Sequence, residues 1–161
     1  MSRTLRSAAA GLLTATVLAA APTPLTTPPA QAQSVAPLSG TYERAVLRQV
    51  NRMRLQRGLP ALRPARCVDR FAESRSRRMA TYDAFRHLSG LRQVFVRCGG
   101  RMAGENIAKG RRMPALRAVA GWMRSPSHRS LMLDGRFRQA GVGAWRDRAG
   151  NVYLSLVLRA P

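Results

Sequence analysis

With 161 residues, 45% of them hydrophobic and 6% aromatic, the chain suits one domain with a buried core; disorder throughout is excluded and a second domain has little room. Its formal charge is +21, from 28 Lys and Arg against 7 Asp and Glu. Arg is scattered along the chain, which fits a solvated basic surface that adheres to anionic polymers at low salt. Specific nucleic-acid recognition is not expected from a chain this poor in aromatic residues for stacking bases.

Arg3 and Arg6 precede the apolar run 8–21, and Ala30-Gln31-Ala32 follows. That order is the pattern of a cleavable export signal, with a mature start near Gln33. Taking Arg3 and Arg6 away lowers the charge from +21 to +19. The apolar run is short for a membrane span, which needs about 20 residues, and Pro22, Pro24, Pro28 and Pro29 follow it. We therefore expect a signal peptide over 1–32, a linker over 33–40 and one domain over 41–161. The mature protein is expected to be secreted or held in the cell envelope, monomeric and without a transmembrane segment.

Val46, Val50 and Met53 recur at helical spacing, so a first amphipathic helix is expected from about Thr41, ending before Gly58 and Pro60. Asn51 and Arg54 on that helix are candidates to tie it to a neighbouring loop. A second helix is expected from Cys67 to Tyr82, with Val68, Ala72 and Met79 on one face and Phe71 beside them. Val94-Phe95-Val96 reads as a strand. A third helix starts at Pro114, a favoured first-turn residue, and carries Leu116, Val119, Ala120 and Met123. Ser125-Pro126 then caps and opens a fourth helix reaching about Leu133. Met53, Phe71, Met79, Trp122 and Met123 are read as core. The period then changes: 141–145 reads as a strand, 148–151 as a turn and 152–158 as a central strand. Helices first and strands last, without βαβ alternation, indicate an α+β fold with helices around a small antiparallel sheet.

Cys67 and Cys98 stand outside any C-x-x-C motif. In an exported chain one disulfide is the favoured reading, against a metal pair or a thiol nucleophile. It would close a loop of roughly 30 residues, worth about 3–4 kcal/mol in the chain-entropy picture. The chain holds no H-E-x-x-H, G-x-S-x-G, P-loop or G-x-G-x-x-G, so the common metalloprotease, α/β-hydrolase and nucleotide-binding signatures are missing.

Short segments follow in a fixed order: Val50-Asn51-Arg52-Met53-Arg54, Gly58-Leu59-Pro60-Ala61-Leu62, Phe85-Arg86-His87-Leu88-Ser89, Gly104-Glu105-Asn106-Ile107-Ala108, residues 121–129 from Gly121-Trp122 through Ser125-Pro126-Ser127-His128, and Gly141-Val142-Gly143. Together they resemble the bacterial branch of the CAP superfamily (cysteine-rich secretory proteins, antigen 5 and pathogenesis-related 1 proteins; SCP domains), over about residues 41–159. The resemblance implies an α-β-α sandwich and a central cleft lined by histidine and acidic side chains, which in some members holds a divalent metal. Matched by motif, His87, Glu105 and His128 are the cleft residues, with Ser125 and Asn106 as neighbours. Two features depart from many eukaryotic members. A serine, Ser125, stands where they place a second glutamate, and Arg138-Gln139-Ala140 stands where they carry His-Tyr-Thr-Gln.

Two neutral imidazoles suit zinc, and a nearby carboxylate would complete the ligand set or orient a ring from behind. The plainer alternatives are His128 decorating a helix turn, Glu105 bridging backbone in a loop and His87 packing on Tyr82 or Phe85. The leading expectation is a secreted binding module whose cleft takes a small ligand, a lipid or a divalent metal such as zinc, with no cofactor required. The rivals are a metal-assisted or Ser125/His hydrolase and an Arg-rich adhesin for anionic surfaces.

Overall fold

The computed structural model describes residues 34–161, Leu88 apart; the export signal expected over 1–32 lies outside the described residues. In chain order the elements are β1 (Ala36–Pro37), α1 (Gly40–Leu55), β2 (Arg63–Pro64), α2 (Arg66–Tyr82), α3 (Arg92–Cys98), β3 (Met102–Arg111), α4 (Ala115–Arg124), α5 (Pro126–Met132), β4 (Gln139–Arg146) and β5 (Asn151–Ala160). The sheet runs β1-β4-β5-β3, and β2 adds to the outer edge of β4. β5 is the central strand, antiparallel to both β3 and β4.

Strand alternation explains why β5 is apolar on both faces. Val152, Leu154, Leu156 and Leu158 pack with Val46 and Val50 of α1, Trp122 of α4 and Met132 of α5. Val157 packs with Val68 and Ala72 of α2 and Val94 of α3. Tyr153 packs with Met79 and Ala80. Helices thus cover both faces of the sheet, the α+β sandwich expected. Each fully buried Val or Leu contributes about 1.5–3 kcal/mol of transfer free energy.

The seating of α2 depends on two glycines. A Cβ on Gly141 would lie 2.3 Å from the backbone of Val68, and one on Gly143 would lie 2.3 Å from that of Ala72. Any side chain there would lift the helix off β4. Ser76 Oγ uses the close approach to donate to the Gly143 carbonyl at 2.6 Å.

Four outward groups of β4 have partners. Val142 N donates to Asp69 Oδ1 at 3.3 Å and Ala144 N to Glu43 Oε1 at 3.0 Å. The Ala144 and Ala140 carbonyls accept from Leu38 N and Ala65 N. Asn51 and Arg54 supply the ties expected of α1. Asn51 Oδ1 accepts from Leu62 N and its Nδ2 donates to Leu62 O. The fully buried Arg54 guanidinium donates to the carbonyls of Pro60, Met132, Asp134 and Phe137. One side chain therefore fixes both segments that lead into β2 and β4.

Three expectations change. Residues 94–96 are helical, within α3: only Val94 turns fully inward, while Val96 is 60% exposed, a helical rather than a two-faced pattern. Glu105 sits in strand β3, not in a loop. Ala36–Pro37, read as linker, pair with β4. The disulfide is formed between Cys67 and Cys98, with Cα atoms 5.8 Å apart, and ties the start of α2 to the end of α3. No described helix is long and apolar enough to cross a membrane.

Candidate functional site

Three elements meet at the outer edge of β3. Glu105 lies within that strand on the face covered by α2, its side chain 1% exposed. α2 ends at Asp83, whose left-handed backbone (φ 48°) turns the chain away, and the following segment brings in His87. From the opposite face, α4 ends and α5 begins at Ser125. Pro126 opens the short helix, and His128 follows in its first turn.

Glu105 is the hub. Its Oε1 accepts from Arg75 Nε at 2.8 Å and from Ser155 Oγ at 3.3 Å; its Oε2 lies 3.3 Å from His87 Nδ1. Arg75 also donates to the Arg86 carbonyl, so one guanidinium positions both the carboxylate and the backbone just before His87. His128 Nδ1 lies 2.8 Å from Ser125 Oγ, and its carbonyl accepts from Asn106 Nδ2 at 3.0 Å. The two imidazoles face each other with centroids 5.8 Å apart and planes tilted by 32°. Burial first, and the charge of His87 second, lowers the His128 pKa, which favours the neutral ring.

His87, Glu105, Asn106 and His128 line one open cavity of about 470 Å³, whose rim includes Asp134 and Arg136. The sequence-predicted trio therefore stands together. Asn106 is fully buried, and its Oδ1 has no hydrogen-bond partner among the described residues. Ser125 lies off this cavity and lines a neighbouring one that His128 shares.

The donor set does not fit a three-ligand zinc site. Among the described residues, no group of three or more His, Cys, Asp or Glu could hold a metal ion. The reason is local: Glu105 is held by a guanidinium, a serine and an imidazole. Nor does Ser125 have the surroundings of an activated nucleophile. Its contact with His128 is between residues three apart at a helix start, and Glu105 pairs with His87 rather than with His128. A nucleophile's base needs an orienting third group.

Arg75 and Ser155 are partners of Glu105 that sequence reasoning missed; for Arg75 a signal was available. Arg75 stands beside Arg77 and Arg78, with nothing in residue type to set it apart. Its spacing was the available signal: Ala72, Arg75 and Met79 fall at i, i+3 and i+7, the inward stripe of α2.

The sequence model of the cysteine-rich secretory protein family (CAP) matches residues 47–158. The uncharacterized protein YkwD of Bacillus subtilis is 33% identical over 108 residues, 63% of this chain and 42% of YkwD. A solved structure of an extracellular SCP-domain protein from Bacillus anthracis superposes with a TM-score of 0.66 at 23% identity, covering 76% of this chain and 41% of that one. An outer surface protein of Borrelia burgdorferi gives 0.69 at 12% identity, over 77% of this chain and 96% of that one. A cysteine-rich secretory protein of Staphylococcus aureus gives 0.63 at 21% identity, over 83% and 41%. The chain thus spans less than half the length of YkwD and of two of these structures, and the structural likenesses speak to the fold.

Proposed function

The chain belongs to the cysteine-rich secretory protein (CAP) family, and from that premise we propose that it is an exported binding protein whose His87–Glu105–His128 cavity takes a small polar ligand. The observation that carries this reading is the facing pair of imidazoles, 5.8 Å apart, each with its Nδ1 already engaged. That leaves Nε2 of each ring for a ligand, with ring orientations set by Glu105 and Ser125. Polar lining of this kind suits a hydroxyl-bearing or anionic molecule better than a lipid chain. Export is supported by the signal-like N-terminal sequence and by relatives described as extracellular or outer-surface proteins.

A hydrolase working through Ser125 and His128 is the second reading, favoured by their 2.8 Å contact. Among the described residues, no side chain other than Ser125 itself is hydrogen-bonded to the His128 ring to orient it as base.

The test is to follow the imidazole resonances of His87 and His128 by NMR while adding inorganic phosphate, acetate or N-acetylglucosamine. The expected result is saturable movement of both rings by at least one probe, lost in Glu105→Gln. Absence of any saturable shift at millimolar probe would overturn the proposal.

A further inference from the structure

Among the described residues β3 pairs only with β5, so one of its edges faces outward. Trp122 Nε1 donates to the Ile107 carbonyl at 2.9 Å, which shows that the backbone groups of Ile107 point to that edge. In an antiparallel ladder these groups alternate with period two, so those of Lys109 and Arg111 point the same way. Trp122 covers the edge at Ile107. Beyond it, no hydrogen bond among the described residues joins the edge groups of Lys109 or Arg111 to α4, α5 or the segment 83–87. Natural edges of this kind are normally covered, bulged or used.

The same stretch floors a cavity of about 550 Å³. Its walls are Phe85 from the segment after α2, and Met113, Ala118 and Trp122 at α4. Phe85 is 46% exposed, an aromatic side chain left beside the open edge. Lys109, Arg111 and Arg117 also line this cavity, and none of its lining residues is a carboxylate. Lys109 already has Asp83 as a partner; Arg111 and Arg117 form no salt bridge among the described residues.

We propose that the outward edge of β3 from Lys109 to Arg111, beyond the stretch Trp122 covers, adds an extended acidic peptide as a further strand, with an apolar side chain between Phe85 and Trp122 and carboxylates on Arg111 and Arg117. Strand addition supplies affinity through backbone hydrogen bonds, while alternate side chains supply specificity. The peptide would run towards His128, which lines both this cavity and the one beneath His87. His87 and Glu105 do not line this cavity, and the proposal stands without the small-ligand reading.

The probe is a fluorescein-labelled decamer alternating acidic and aliphatic residues, read by fluorescence anisotropy on the oxidised mature protein. Three comparison probes are needed: the same decamer N-methylated at alternate residues, its lysine counterpart, and polyphosphate as a backbone-free polyanion. The decamer should bind saturably, the N-methylated form about tenfold or more weaker through lost backbone hydrogen bonds, and the lysine form not at all. Arg111→Glu/Arg117→Glu should lose binding by a similar factor, while His87→Ala should keep it. Equal binding of the decamer and its N-methylated form, or full displacement by polyphosphate without any N-methylation effect, would reduce the site to surface charge and overturn the proposal. No binding of the decamer at millimolar concentration would overturn it too.

Discussion

The two edges of the sheet are finished in opposite ways. At β4 the outward amides of Val142 and Ala144 are met by two carboxylates, and the carbonyls of Ala140 and Ala144 by two flanking segments. Three of the chain's seven acidic residues, Glu43, Asp69 and Glu73, gather there, and Glu73 accepts from Trp145 Nε1 at 2.6 Å. At β3 the edge meets the Trp122 indole at Ile107, and no hydrogen bond among the described residues covers the stretch beyond it at Lys109 and Arg111. The comparison teaches where a strongly basic chain places its scarce carboxylates. Most secure the scaffold, and one, Glu105, is set under the histidines.

The closed side should be the brittle one. Arg54→Met leaves four carbonyls without their donor and should cost at least about 3 kcal/mol, as losing one partner of a buried charged network does; urea unfolding measures it. Next comes the crosslink: Cys67→Ser/Cys98→Ser should lose about 3–4 kcal/mol for a loop of this size, seen as a lower midpoint in the same experiment.

Arg75→Ala should cost about 1–3 kcal/mol by leaving Glu105 buried without its cation. It should also change the metal response. Wild type should show no zinc-induced rise in Tm at sub-millimolar zinc, because Glu105 is held by Arg75. The variant, with that carboxylate released beside His87, should show one. A rise of equal size in both would break the account of Glu105.

The acidic cluster predicts an unusual pH dependence. Burial first, then the shared hydrogen bond with Glu73 and its charge, pushes the Glu43 pKa up to about 8, against 4.5 ordinarily. Burial likewise raises Asp69. A carboxyl whose folded pKa is raised binds protons better in the folded state, so its contribution is full below about pH 4.5 and falls as pH rises towards 8. Tm should therefore decline across that window, and Glu43→Gln should flatten the decline. A slope unchanged by the substitution would sink this assignment. The open side should be the tolerant one: Arg111→Ala should change stability by no more than about 0.5 kcal/mol.

Much of the scaffold was legible because its signals are local and periodic. α1, α2, α4 and α5 follow from apolar spacing and from Pro126 in the first turn of α5, and β5 from its continuous apolar run. β3 was not legible as a strand. Gly104, Asn106, Lys109 and Gly110 are weak strand formers, and pairing with β5 together with the edge contacts overrides that preference. The site trio was legible only through the resemblance of ordered motifs. Its support was not: Arg75 and Ser155 act on Glu105 from 30 and 50 residues away in sequence, and no local pattern encodes that meeting.

The most direct test of the contrast between the edges is amide hydrogen exchange at four positions, with and without the acidic decamer. Val142 and Ala144 should exchange slowly in both conditions. Lys109 and Arg111 should exchange fast alone and slow down when the peptide is bound. Protection at Lys109 equal to that at Ala144 in the free protein would contradict the open edge on which this account rests.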